Sequence, residues 1–445
     1  MKKAVITILG TIGRDSNKKV TYNSKITNIK STLDINTFPI LIKNFSKEYE
    51  IVALHTDEAK KVQTEVVEND HEIKDFESKF KDEWKIENDT EFDDVFSKID
   101  KLMSGYDKII IDVSHGFRHL PILLMVDAVI HNIKDIDKIE MIIFAKEIKA
   151  REEYELIDLK RYLDLANIAY ALTAFEKNYT VANSVKVSDS KLNDFLKDLS
   201  DFSKHILANS LDKLLKDTNK KRSITTQLIG NINILLKREE DIFGNLKRLL
   251  ENIKRHLEEI KGYTDKPDHE KIFYIAQNMY DKGYLLNSIT LLSEAIGMYC
   301  TLALKSLDDT IKKAIDEYET KAKSQKNNER LIFKLYDLYS QSKVLYKVDN
   351  HKDTFMKIKY SYNSKNRAEY EDWNDMVEKI TEKIKQEINK DKRITKLIET
   401  IDNIRNNLAH ANSSKRLEDV DKEIKKALQD FKTLCIEKNI ESRLV

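Results

Sequence analysis

Strand-forming signal in this 445-residue chain stops at Asp158. Before that point, short apolar runs rich in β-branched residues occupy 4–9, 50–54, 108–113, 139–144 and, more weakly, 153–157. Runs of this length and composition read as strands buried on both faces of a sheet. Helical patterns separate them at 38–47, 57–67, 92–103 and 117–133. The first has Asn36 and Thr37 as cap candidates, and Pro121 falls near the start of the last, where proline is tolerated. Strands alternating with helices predict an α/β unit with an open, mostly parallel sheet.

Beyond Asp158 the apolar residues recur at three- and four-residue steps, so the remainder reads as all-α. Helices are expected over 160–177, 192–216, 224–260, 271–281, 285–304, 310–323, 329–339, 376–389 and 417–436, with one more carrying Arg405. Residues 349–375 read as a loop. Only 9 glycines and 3 prolines punctuate the chain, so turns should be few and helices long. The segment from Gly262 to Pro267 is the best break in the second half. The expected organisation is therefore an α/β domain over 1–158, a helical connector over 159–263 and an all-α domain over 264–445.

Net charge is +1, so any nucleic-acid contact must be local. Cys300 and Cys435 sit in helical apolar patterns and read as buried thiols of a reducing compartment. About six mostly apolar residues precede Gly10, too few for a signal peptide or a membrane span. A cytoplasmic protein with no membrane partner is expected. No His, Cys, Asp or Glu cluster at metal spacing stands out.

Two strand-end loops are the first candidate site: Gly10, Thr11, Ile12 and Gly13, and Ser114, His115, Gly116, Phe117 and Arg118. Ligands of open α/β sheets bind beyond the carboxyl ends of the strands, at a topological switch point. Glycine lets backbone N–H groups approach an anion, a following helix N-terminus adds positive character, and Arg118 offers a fork for phosphate. Plain turn chemistry, with Ser114 and His115 capping a helix, is the alternative. No dinucleotide fingerprint and no Gly-Lys-Ser/Thr loop is present. The second candidate is Arg405-Asn406-Asn407-Leu408-Ala409-His410. Ile394, Leu397, Ile398, Ile401, Ile404, Leu408 and Ala411 form the apolar face of that helix. Arg405 and His410 flank a polar strip about 140° apart; Asn406 stacks with His410. Arginine is a permanent cation for phosphate oxygens, and histidine moves protons near neutral pH. A solvated helix face would show the same spacing.

These stretches resemble known families. A strand ending in Leu-Gly-Thr, followed by Asp112-Val113-Ser114-His115-Gly116-Phe117-Arg118 with Pro121, resembles the Rossmann-like CARF domain. Arg405 to His410 resembles the R-x4-6-H motif of HEPN domains. In this order they resemble the CARF–HEPN ancillary ribonucleases of type III CRISPR systems. The resemblance implies a homodimer, or a higher oligomer, activated by cyclic tetra- or hexa-adenylate at the two loops. It implies a composite HEPN site that cuts single-stranded RNA in antiviral defence without metal or other catalytic cofactor. His410 would transfer protons, Arg405 would hold phosphate, Asn406 would orient either, and Glu294 is a candidate brace for Arg405. The alternative is a nucleotide-sensing regulator whose helical part only binds a partner or nucleic acid. A small-molecule enzyme of the α/β part alone lacks an evident nucleophile–base pair or carboxylate cluster.

Overall fold

The computed structural model describes the chain apart from residues 12–17, 74–79, 88–90, 117–118, 182–186, 188, 219–220, 238–245, 308, 325–333, 345, 347–381, 383, 385, 387–388, 390–391, 411–415 and 438–445. It divides into two compact units. Unit 1 holds Met1–Glu176, Thr180–Ser200 and Asn231–Ile253; unit 2 holds Lys177–Tyr179, Asp201–Gly230 and Lys254–Val445.

Unit 1 is built on a seven-stranded sheet: β1 (Lys3–Ile8), β2 (Val20–Ser24), β3 (Thr32–Asp34), β4 (Glu50–Leu54), β5 (Lys108–Asp112), β6 (Ile139–Lys149) and β7 (Glu153–Asp158). The spatial order is β3-β2-β7-β6-β5-β1-β4. β4, β1, β5 and β6 run parallel; β7 is antiparallel to β6, and β3 to β2. Alternate residues of β1 feed two cores. Ala4, Ile6 and Ile8 pack under α3 (Phe92–Ser104) and α4 (His119–Lys134). Val5 faces the other way, onto α1 (Thr37–Phe45) and α2 (Asp57–Glu68). The mostly parallel α/β sheet expected from the sequence is thus present. Each fully buried isoleucine of it, such as Ile6 or Ile111, is worth about 1.5–3 kcal/mol of apolar burial.

Three local features differ from expectation. β3 is an edge strand and β2 lies next to it, where short, polar strands suffice. β6 continues past Phe144 because the charged stretch to Lys149 pairs with β7 in a hairpin. The helix expected over 192–216 ends at Leu207: Asn209 takes a left-handed φ of 54°, and the Ser210 N–H donates to the His205 carbonyl at 2.8 Å. That is a helix-stop geometry that asparagine tolerates. The helices α5 (Lys160–Asn178), α6 (Ser190–Leu207), α7 (Ile224–Leu236) and α8 (Lys247–Gly262) fill the region between the α/β part and the remaining helices in sequence.

Unit 2 is helical. Its centre is α10 (Leu285–Leu307), which contacts α9 (Asp268–Asp281), α11 (Asp309–Ser324), α12 (Leu335–Val344), α13 (Arg393–Ala409) and α14 (Leu417–Phe431). α10 is long and apolar enough to cross a membrane by length and composition. Here Ile289, Leu292, Ile296, Tyr299 and Ala303 are buried as core. Gly297 lets α12 approach: a Cβ there would lie 2.8 Å from the Tyr339 Cβ. On α13, Ile394, Leu397, Ile398, Ile401 and Ile404 are buried, as their spacing predicts; Leu408 is half-buried and Ala411 falls outside the described residues.

Candidate functional site

The two loops of unit 1 follow β1 and β5, which are neighbours with Thr7 registered against Asp112. β1 has β4 on its other side, so the gap between β1 and β5 is the switch point at which the winding direction reverses. The loops touch: a Cβ on Gly10 would sit 3.5 Å from the Gly116 nitrogen and 3.6 Å from the His115 Cβ. Gly116 has φ +106°, and a Cβ there would fall 2.3 Å from Ile8 Cγ2. Only glycine suits that backbone and that space.

A buried carboxylate anchors the pair. Asp112 Oδ2 accepts from Thr7 Oγ1 at 2.9 Å and Thr37 Oγ1 at 3.0 Å. Its Oδ1 accepts from the Ser114 N–H at 3.1 Å and Ser114 Oγ at 2.6 Å. These four donors answer the burial of the carboxyl group. Ser114 Oγ also accepts from the Ala145 N–H at 2.9 Å, which ties the loop to β6. The half-buried His115 turns to the start of α1, where its Nε2 accepts from the Thr37 N–H at 3.4 Å. Burial pushes the imidazole below its usual range, against the pull of Asp112. A helix N-terminus also favours the neutral ring. From the other side, Gln63 Nε2 donates to the Gly10 carbonyl at 2.7 Å and Gln63 Oε1 accepts from Asn36 Nδ2 at 2.9 Å. Asn36 caps α1 by accepting from the Phe38 N–H at 2.9 Å.

Thr11 and Gly116 are exposed at the mouth of these loops. Ile12, Gly13, Phe117 and Arg118 lie outside the described residues. Asn36 caps α1 as its sequence position predicts, but the roles of Asp112 as anchor and of Thr7, Thr37, Asn36 and Gln63 as its partners and neighbours were not legible in the sequence. Asp112 stood two residues before Ser114, an ordinary turn-forming position. The other four become partners only through strand register and helix packing.

In unit 2, α13 presents Arg405 half-buried and Asn406 and His410 exposed. His410 ends the helix, its N–H donating to the Asn406 carbonyl at 3.1 Å. Burial pushes the carboxyl of Glu294 on α10 up, and the positive charges of Arg405 and Lys343 pull it back through space. A polar cluster surrounds them. Lys343 Nζ of α12 lies 3.1 Å from Asp402 Oδ1 and 2.9 Å from Ser293 Oγ. Lys343 and Asp402 were not legible in the sequence because three helices have to meet before they do. A groove of about 690 Å³ between α13 and α14 is lined by Arg393, Lys396, Thr400 and Asn403. Lys396 lies about 180° around the helix from Arg405, so the groove serves another face. Among the described residues, no group of three His, Cys, Asp or Glu donors surrounds Arg405 or His410.

No family model and no curated protein matches the chain. Among solved structures, it is similar to Enterococcus italicus Csm6 bound to cyclic hexa-2'-fluoro-hexa-dAMP. The identity is 13% over 100% of this chain and 97% of that one, with a TM-score of 0.30. A TM-score that low carries no argument about this chain.

Proposed function

We propose that this chain is a cyclic-oligoadenylate-activated endoribonuclease of the CARF–HEPN type, acting in the cytoplasm in type III CRISPR defence. Residues 1–158 would sense the nucleotide, 159–263 connect, and 264–445 cut single-stranded RNA. The observation that carries this reading is the ordered pair of sites. Two glycine-bearing loops converge at a switch point, and half-buried Arg405 stands on a helix that ends in exposed His410.

RNA carries its own nucleophile, the 2′-hydroxyl. The enzyme has to position it, move protons and stabilise charge on the phosphoryl oxygens. In this reading His410 moves the proton and Arg405 holds the phosphate. Asn406 orients the ring or the phosphate. Glu294 fixes the direction of Arg405. No catalytic metal is required. One chain offers one Arg405/His410 strip, and a two-fold axis would bring two together as an isologous contact. α4 offers an apolar face for self-association: Ile122, Val126, Ile130 and Ile133 recur at helical steps and are exposed.

The deciding experiment is RNA cleavage in EDTA, with and without cyclic tetra- and hexa-adenylate. Cleavage that depends on either ring supports the proposal. Ring binding without cleavage would turn the reading to a nucleotide-sensing regulator.

A further inference from the structure

We infer that Asp100 of α3 with Asp127 and His131 of α4 forms a binding site for a divalent cation of the zinc class. Among the described residues this is the group of His, Cys, Asp and Glu side chains whose donor atoms all lie within 4.8 Å of one another. His131 Nε2 is 3.2 Å from Asp100 Oδ1 and 3.5 Å from Asp127 Oδ2. Donors about 2.0–2.1 Å from a tetrahedral zinc stand about 3.3 Å apart, whereas an octahedral ion at the same bond length would set adjacent donors about 2.9 Å apart. The two distances made by His131 bracket the tetrahedral value, and the two carboxylates lie within 4.8 Å of each other. One imidazole nitrogen and two carboxylate oxygens form a mixed donor set that suits zinc better than magnesium or calcium, which prefer all-oxygen shells.

A second observation points to the same atom. Asp127 is 1% exposed, and its Oδ2 is buried with no hydrogen-bond partner. A buried carboxylate oxygen left without a donor is costly unless something positive meets it. The nearest source of positive charge is His131 of the same cluster, 3.5 Å away and charged only when protonated. Lys134 and Lys138 act on Asp127 only through space, and the same charges oppose an arriving cation. His131 is 6% exposed, which leaves Asp100, half-exposed, as the side from which an ion would enter. The fourth ligand position would fall to water. Asp127 and His131 are one helical turn apart on one helix, and Asp100 comes from its neighbour, so a bound ion would clamp α3 to α4. The site lies about 18 Å along α4 from His119, away from the loop that precedes it. It is independent of the proposed ribonuclease function.

A protonated imidazole held between two carboxylates would explain the same distances without a metal, and the test separates the two. The full chain, dialysed against EDTA and then into chelator-free buffer, is titrated with ZnCl₂ by calorimetry. Its melting temperature is read with and without the metal, and Co²⁺ is added separately for its visible spectrum. The expected results are one Zn²⁺ per chain, a higher melting temperature with zinc, and the intense absorption of tetrahedral Co²⁺. Asp127→Asn and His131→Gln should weaken zinc binding at least about tenfold. Because these two are buried and their substitution can disturb folding, Asp100→Asn is the control variant. It is half-exposed and isosteric, and it should fold as the parent and still bind zinc at least about tenfold more weakly. Absence of a zinc isotherm in the parent overturns the proposal in favour of the proton-held triad. Parent-like zinc affinity in well-folded Asp100→Asn overturns it equally.

Discussion

Gly116 stands against Ile8 so closely that any side chain at 116 would enter the Ile8 Cγ2 atom, a separation of 2.3 Å for the first carbon alone. The loop after β5 is therefore fitted onto the end of β1. Gly116→Ala should cost about 2–4 kcal/mol, from a left-handed backbone on a residue with a Cβ and from overpacking. Urea unfolding checks it, and Ile8→Ala in the same chain should return part of the loss. A shift under about 0.5 kcal/mol would show that the loop relaxes freely.

Lys43 of α1 lies 2.8 Å from Asp34 Oδ2, 2.8 Å from Asp70 Oδ2 and 2.9 Å from Glu72 Oε2. Asp34 and Asp70 are buried, while Glu72 is exposed. Lys43→Met would leave two buried carboxylates without their cation, at about 3–5 kcal/mol. Glu72→Gln should change stability by less than about 1 kcal/mol, as expected for a solvent-screened partner.

Three histidines give stability a pH dependence of known sign. Burial holds His55, His115 and His269 below the ordinary imidazole range. The unfolded chain therefore takes up protons first, near pH 6.5. Stability is fully present above that value and falls as pH drops towards the depressed folded values, by at most about 1.4 kcal/mol per pH unit per histidine. Urea midpoints from about pH 7 to about pH 5 should fall for the parent and fall less steeply for His115→Gln. Equal slopes would place the His115 ring in ordinary solvent.

For catalysis, His410→Ala and Arg405→Ala should each lower RNA cleavage by about 10²–10⁴ without loss of fold, and EDTA should leave the parent rate unchanged. Mixing the two variants should restore part of the activity if the site is composite. A fully active monomer by sedimentation would refute that arrangement.

Activation should separate from cutting. His115→Ala and Arg118→Ala are expected to raise the cyclic oligoadenylate concentration needed for activity at a nearly unchanged saturated rate. His410→Ala should bind the ring normally and cut nothing. A ring shifts the dimer only by binding one arrangement better than another, so isotherms read beside cleavage titrations are the check. Parent-like behaviour of both loop variants would move the messenger site elsewhere.

The central strands were legible because burial on both faces writes itself as an unbroken apolar run; Lys108–Asp112 and Glu50–Leu54 carry that signature. β2, with sequence Val-Thr-Tyr-Asn-Ser, does not: it pairs with β3 and β7 yet buries only Tyr22, so its apolar signal is weak. The glycines of the loops were readable from their place after a strand. The donors around Asp112 were not, because they converge from β1, α1 and the loop itself. The Asp100, Asp127 and His131 cluster was not legible as one, because its third member arrives from another helix.

One unbroken line of amide groups runs from the Gly10 carbonyl through Gln63 and Asn36 to the Phe38 N–H. Its mechanical consequence is that the loop and the first turn of α1 open as one. A ligand that draws the Gly10 backbone outward must also tug on the helix cap, and the Phe38 amide then becomes a clock for the loop. Its exchange with deuterium should accelerate or slow with whatever occupies the mouth between Gly10 and Gly116.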